Sequence, residues 1–278
     1  MAKQLLISII TPSYNQGKFI EDTILAVKNQ NYSNLEHIII DGGSVDGAVD
    51  TIKKYEETYN MHWISEKDKG PADAINKGFS MARGDIFAWI NSDDFYEPRV
   101  LKEIVETFKN NPDVDFVLGN WYEIRNKNVK ILCRPLRNNH LNFLSLIHEG
   151  DFIGQPATFF TARLFKKAGP LDINLKYAFD YDLWLRMFRL KIKYIYINKS
   201  LANFRCHTSS ISIANREESV KEAYRVAKKY FPEKKFLPQI IKFHRTKYSN
   251  FFDKLQKDSP WLYNSIKNII YWFLNKLS

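Results

Sequence analysis

Ile86-Phe87-Ala88-Trp89-Ile90 runs directly into Asn91-Ser92-Asp93-Asp94. Five consecutive apolar residues predict a buried strand. Two adjacent carboxylates at its end are costly, because like charges repel and ionised groups resist leaving water. A divalent cation together with an anionic ligand resolves that conflict: carboxylate oxygens suit Mg2+ and Mn2+, and Mg2+ is commonly held by one or two carboxylates plus substrate phosphates. Asn, Ser and Asp also favour solvated turns, so these four residues alone leave both readings open.

The chain before this stretch alternates strand-like and helix-like segments. Strands are predicted at Leu5–Thr11, Leu35–Asp41, His62–Ser65 and Ile86–Ile90. Helices are predicted at Phe19–Gln30, Val49–Tyr59 and Ala72–Ala82, and at Pro98–Asn110 with proline in the first turn. Such alternation indicates an α/β protein with a largely parallel sheet covered on both faces. Ligands of such sheets gather at the carboxyl ends of the strands. The four strands run into Thr11–Gly17, Asp41–Gly47, Glu66–Gly70 and Asn91–Asp94, all rich in polar or carboxylate residues or glycine. One such end would be ordinary turn chemistry, whereas four converging on one rim are expected to form a site. After Asp115 the pattern becomes mixed, with a hairpin over Asp115–Arg125 and Val129–Cys133 turning at Asn126-Lys127-Asn128. Beyond it, Leu141–His148 reads as a short helix, Ala157–Thr161 as a strand, Asp180–Arg189 as a helix and Lys193–Asn198 as a further strand.

The 278 residues, 45% hydrophobic, suffice for one large domain, or one domain with an appendage. Cys133 and Cys206 lie far apart with no metal-ligand spacing, which suits a reducing, cytoplasmic compartment. Met1–Ile10 begins a strand-like run and lacks the pattern of a secretory signal. No apolar stretch approaches the ~18 residues of a membrane span. The net charge of +10 is uneven, with 14 Lys+Arg against 6 Asp+Glu from Arg216 onward. The expected division is therefore a catalytic domain over 1–215 and a basic helical extension over 216–278.

Several segments, in order, resemble the GT-A fold glycosyltransferases of family 2: Thr11-Pro12-Ser13-Tyr14-Asn15, Asp41–Gly47, Gly70–Gly78, Gly84–Asp94, Asp180–Arg186 and Phe204–Ser212. The resemblance implies a GT-A type mixed sheet flanked by helices. It also implies inverting transfer of a sugar from a nucleotide-sugar donor, UDP-linked by expectation, to a glycan or lipid-linked glycan acceptor in surface polysaccharide biosynthesis. Three departures stand out. Asp41-Gly42-Gly43-Ser44 replaces the frequent Asp-Asp-Gly-Ser. Asn91 replaces the first acid of the strand-four signature. Phe179-Asp180 replaces the usual acidic pair.

Within this reading Asp94 is the principal ligand of Mn2+ or Mg2+, and Asp93 serves the ribose or the metal. The resemblance adds His207 as a further ligand, a choice that favours Mn2+. Asp41 accepts from a pyrimidine N–H, Tyr14 stacks or flanks the base, and Thr11, Pro12, Ser13 and Ser92 line the nucleotide. Asp68 and Lys69 sit where the family contacts the nucleotide. Asp73 and Asn76 open the next helix, where helix capping and donor-sugar contact are both open. Asp180 is the expected base, since an acceptor hydroxyl is a poor nucleophile until its proton is removed. Asp182, about 200° round the helix from it, is expected to pair with Arg186. Gln155 is placed toward the acceptor.

In the tail, Trp261–Leu277 sets Leu262, Ile266, Ile269, Ile270, Phe273 and Leu277 near one helical face. Such a face suits the inner surface of a membrane, the catalytic domain, or a second subunit. No nucleic-acid partner is expected. The rival functions are a nucleotidyltransferase, a non-catalytic sugar-binding module and a polyprenyl-phosphate sugar transferase. The first would carry a glycine-rich, basic loop after strand one, which Thr11–Gly17 lacks.

Overall fold

The computed structural model describes residues 4–125, 129–135, 141–207, 210, 214–230 and 259. Its first half runs β1 (Ile7–Ser13), α1 (Ile20–Lys28), β2 (Leu35–Asp41), α2 (Ala48–Tyr55), β3 (Met61–Ser65), α3 (Pro71–Met81) and β4 (Ile86–Trp89). These four strands are parallel, in the order β3-β2-β1-β4. Ser13 pairs with Asp41 and Asp41 with Ser65, while Ile10 pairs with Trp89. The register therefore ends β1, β2 and β3 level, while β4 stops opposite Ile10 and its polar extension Asn91–Asp94 continues to the same rim.

The second half contains β5 (Phe95–Tyr96), α4 (Val100–Asn110), β6 (Phe116–Arg125), β7 (Val129–Cys133) and α5 (Phe143–Glu149). After a 3-10 turn at Gln155–Ala157 come β8 (Thr158–Thr161), α6 (Ala162–Ala168), α7 (Phe179–Arg189), β9 (Tyr194–Arg205) and α8 (Arg216–Tyr230). Here the sheet turns mixed: β8 lies antiparallel between β4 and β6, β9 runs parallel to β6, and β5 closes the edge antiparallel to β9. The expected α/β class, a mixed sheet flanked by helices, is what the chain adopts.

Alternation along the strands packs both faces of the sheet. Ile10, Ile38, Ile40, Phe87 and Trp89 face one core with α3, α6 and α7. Ile7, Ile9, Ile86 and Ala88 face a second core with α4, and Ile39 faces a third under α1 and α2. Trp184 of α7 stacks on Trp89 with ring centroids 5.4 Å apart. Helix α8 contributes Val226 and Ala227 to the first core.

Two elements differ from expectation for tertiary reasons. Helix α4 starts at Val100, not Pro98, because Gln30 at the end of α1 accepts the N–H groups of Val100 (2.9 Å) and Leu101 (3.3 Å). Arg99, at φ 61°, makes the turn into it. Strand β9 extends to Arg205 instead of stopping at Asn198. Its pairing with β6 jumps from Gly119–Ile197 to Asn120–Ser200, so polar Asn198 and Lys199 sit in a bulge and the strand resumes beyond them. Helix α6 and the two-residue β5 are too short to show a periodicity. The hairpin turn at 126–128 lies outside the described residues.

Gly78, inside α3, is held to its small size by β1. A Cβ added there would stand 2.3 Å from Ile10 Cγ2. Helix propensity alone favours alanine by about 1 kcal/mol, but overpacking costs about 1–3 kcal/mol. Gly78→Ala is therefore expected to lower the urea midpoint with an unchanged slope. A raised midpoint would mean that Ile10 yields at little cost.

Candidate active site

The loop after β2 is organised by its own first acid. Asp41 is buried, and its Oδ2 accepts from Gly43 N (3.0 Å), Ser44 N (2.9 Å) and Ser65 Oγ (2.7 Å), while Oδ1 accepts from Ser44 Oγ (2.5 Å). Asp41, expected on the nucleobase, thus spends its carboxylate on the loop. Asn15 and Ser44 tie this loop to the end of β1, as do Gly17 and Asp46. Gly42 lies where the family's second acid would be. A Cβ there would stand 2.7 Å from Asp68 Oδ2 and 3.2 Å from the Tyr14 ring. Asp68 therefore brings a carboxylate from the β3 end to the space beside Gly42. Its Oδ1 accepts from Gly70 N (2.8 Å), and burial raises its pKa. The Tyr14 ring beside it is 61% exposed, open to stacking.

The β4 end holds the two acids differently. Asp94 is 0% exposed. Its Oδ1 accepts Arg205 N (2.9 Å), and Asn91 Nδ2 lies 3.4 Å from Oδ2. Burial, and then the charge of Asp93, pushes the Asp94 carboxyl well above the usual range. Asp93 is half-buried, with its Oδ2 3.0 Å from His207 Nε2. Thr23 of α1 anchors the loop from below, donating to the carbonyls of Ser92 (3.0 Å) and Asp94 (2.6 Å). Arg205 closes it from the side: its Nη1 donates to Asp93 O (3.2 Å) and its Nη2 to Asp22 (2.5 Å). The guanidinium lies over the rings of Phe95 (4.6 Å) and Phe19 (5.4 Å).

Asp180 sits in the first turn of α7, one turn before Trp184 on the same face. Its Oδ1 accepts Tyr181 N (2.8 Å), and burial lifts its pKa to about 6, with Glu222 adding to the rise. Asp182 bonds Arg186 (2.8 Å) as expected, and also Tyr230 of α8 (2.8 Å).

The other candidates divide. Thr11 is buried, with Oγ1 2.8 Å from His37 Nε2; burial holds that histidine down at about 3, and so neutral. Pro12 sits in β1 opposite Ile40. Asp73 accepts Lys69 N (3.0 Å), which supports its capping alternative, and the Lys69 side chain is exposed. Asn76, expected on the donor, bonds both backbone groups of Leu171 at 2.9 Å. Gln155 donates to Trp89 O (2.7 Å). Its Oε1 and the Ser13 hydroxyl are buried without a hydrogen-bond partner among the described residues.

A carboxylate oxygen and an imidazole nitrogen 3.0 Å apart fit a shared divalent cation, Mn2+ more readily than Mg2+. Among the described residues no three His, Cys, Asp or Glu side chains gather as a ligand set. Asp93 and His207 therefore fit a metal that completes its shell with phosphate and water. The tail expected at Trp261–Leu277 lies outside the described residues. Thr23, Arg205 and Glu222 were missed by sequence reasoning. A hydroxyl on the apolar face of α1 was a usable signal for Thr23, and Arg205 stands two residues before His207. Glu222 carries no local signal.

A family model described as Glycosyl transferase family 2 matches residues 8–168. An uncharacterized glycosyltransferase of Rickettsia prowazekii is 27% identical over 196 residues, covering 68% of this chain and 60% of its own length. An uncharacterized glycosyltransferase of Mycobacterium tuberculosis is 31% identical over 182 residues, covering 65% of this chain and 68% of its own length. The chain thus spans about 60% of the first of these curated relatives. S. aureus TarS 1–349 in complex with UDP-GlcNAc superposes with a TM-score of 0.69 at 16% identity, over 89% of this chain and 75% of that one. The mannosyltransferase PcManGT from Pyrobaculum calidifontis, in complex with GDP-Man and Mn2+, gives 0.64 at 16% identity, over 98% and 81%. Both have the fold described above.

Arg205→Lys keeps the charge and loses the planar fork. It is expected to lower stability by about 1–2 kcal/mol, since charge-assisted hydrogen bonds and ring contacts are lost, and to weaken Mn2+ binding measured by titration calorimetry. Unchanged melting and unchanged Mn2+ affinity would remove Arg205 from the support of this loop.

Proposed function

The chain belongs to glycosyl transferase family 2, and from that membership we propose that it transfers a sugar, with inversion, from a UDP-sugar to a glycan or lipid-linked glycan hydroxyl. The observation that carries this reading is the Asp93–His207 contact, which joins residues 114 apart in sequence at the end of β4. A binding module has no need of such a pair.

In this reading Asp68 accepts from the nucleobase N–H, Tyr14 stacks on the base, and backbone groups of Thr11–Ser13 and Ser92 line the nucleoside. Asp68 so takes the part first expected of Asp41, whose carboxylate is already occupied. Asp93 and His207 hold a divalent cation, while Asp94, first expected as its principal ligand, is fully buried and accepts Arg205 N. A cation there supplies Lewis-acid stabilisation of the leaving diphosphate. Lys69 offers a further positive charge to the phosphates. Gln155 Oε1, buried and unpartnered, accepts from the acceptor sugar.

Asp180 takes the proton of the attacking hydroxyl. A base must be ionised to act, and a pKa of about 6 keeps Asp180 so at neutral pH while leaving it more basic than an ordinary carboxylate. A lipid-linked acceptor would suit the inner face of a membrane. Among the described residues no helix is long and apolar enough to cross a membrane.

A panel of UDP- and GDP-sugars, assayed for donor hydrolysis, tests the reading. Mn2+ is expected to support turnover, chelation to abolish it, and Asp93→Ala to do the same. Asp180→Asn is expected to lower kcat by about 10²–10⁴-fold while leaving donor affinity unchanged. Wild-type kcat should fall as the pH drops through about 6, because protonation removes the base. Full turnover by Asp180→Asn would exclude Asp180 as the base.

A further inference from the structure

Glu222 lies on α8, beyond the family-matching residues 8–168, yet it reaches the start of α7. It is 5% exposed. Its Oε2 accepts Tyr177 N (2.6 Å) and Ala178 N (2.9 Å), and its Oε1 accepts Lys176 N (3.2 Å). Helix α7 has no side-chain cap of its own. The N–H groups of the three residues that lead into α7 are thus satisfied by an acid up to 46 residues away, close to the positive end of the helix dipole.

We propose that Glu222 is a positioning residue for Asp180: its buried carboxylate ties the lead-in of α7 to α8 and sets a second negative charge against the Asp180 carboxyl. The inference rests on Asp180 being the base. Capping alone would be served by a Ser or Asp at the helix start. Placing a second acid there sets its negative charge near the Asp180 carboxyl and disfavours that carboxyl's ionisation.

The surrounding charges leave that coupling standing. Asp182 faces away and is held by Arg186, Lys229 and Tyr230. Arg225 stands 4.0 Å from Glu222 but is 68% exposed, so solvent screens it. Glu218 bonds Lys221, Asp172 bonds Asn174, and Lys176 is exposed. Helix α5 brings no charge from Phe143–Ile147, and α6 meets α7 at Arg186, through the carbonyls of Ala168 and Gly169.

The test is a carbon-13 carboxyl NMR titration of the full chain, with Asp180 assigned by its loss in Asp180→Asn. Glu222→Gln keeps an oxygen for Tyr177 and Ala178 and removes the charge. It is expected to move the Asp180 midpoint measurably lower, and the acid limb of donor hydrolysis with it. Should that variant fail to fold, Glu222→Asp is titrated in its place: it keeps the charge and the acceptor oxygens, and must hold the Asp180 midpoint up. An unmoved Asp180 midpoint in folded Glu222→Gln, or a lowered one in Glu222→Asp, overturns the proposal and leaves Glu222 a tie between α8 and the lead-in of α7. Undiminished sugar transfer by Asp180→Asn instead removes the base reading and leaves the coupling intact.

Discussion

Buried carboxylates bonded to backbone N–H groups hold the rim of this sheet in shape. Asp41 gathers the loop after β2, Asp94 receives the N–H of Arg205 from β9, and Glu222 receives three N–H groups ahead of α7. Each bond offsets two costs at once, an ion out of water and an unpaired donor in a loop or at a helix end. The loops they brace are those that carry the candidate ligand and base residues. An apolar substitution at these acids would leave several donors bare.

The aromatic core beneath the rim supplies the second support. Trp89 stacks on Trp184, while Gln155 bonds the Trp89 carbonyl. The strand before Asn91 and the helix bearing Asp180 thereby share one packed contact, and neither can shift without the other. Above it, the bulge at Asn198 and Lys199 lets β9 continue to Arg205, whose guanidinium fits between Phe19 and Phe95. That continuation carries His207 to Asp93.

Space explains one departure from the family pattern. A Cβ at position 42 would meet the Asp68 carboxylate and the Tyr14 ring, so the β3 loop places a carboxylate beside the glycine of the β2 loop. Other acids and amides that looked available have local duties. Asp73 receives Lys69 N, and Asn76 braces the backbone at Leu171. A polar residue at a strand or helix end serves the backbone first, and only the groups left over, or left unpartnered like Gln155 Oε1, are available for a ligand.

The alternating halves of the fold, the four strand ends and the acid pair Asp93-Asp94 were legible in the chain, because hydrophobic period and turn chemistry are local properties. The Asp182–Arg186 pair was legible for the same reason, being one helical turn long. The helix start at Val100 was not, since Gln30 on another element accepts its first N–H groups. Nor was the reach of β9, where a bulge imitates a strand end. Which acid faces a ligand and which is spent on the backbone depends on distances between segments far apart in sequence. Local composition determined the layers and the sort of chemistry on offer. The packing of β9, α7 and α8 against the parallel sheet decided which residues were brought together to perform it.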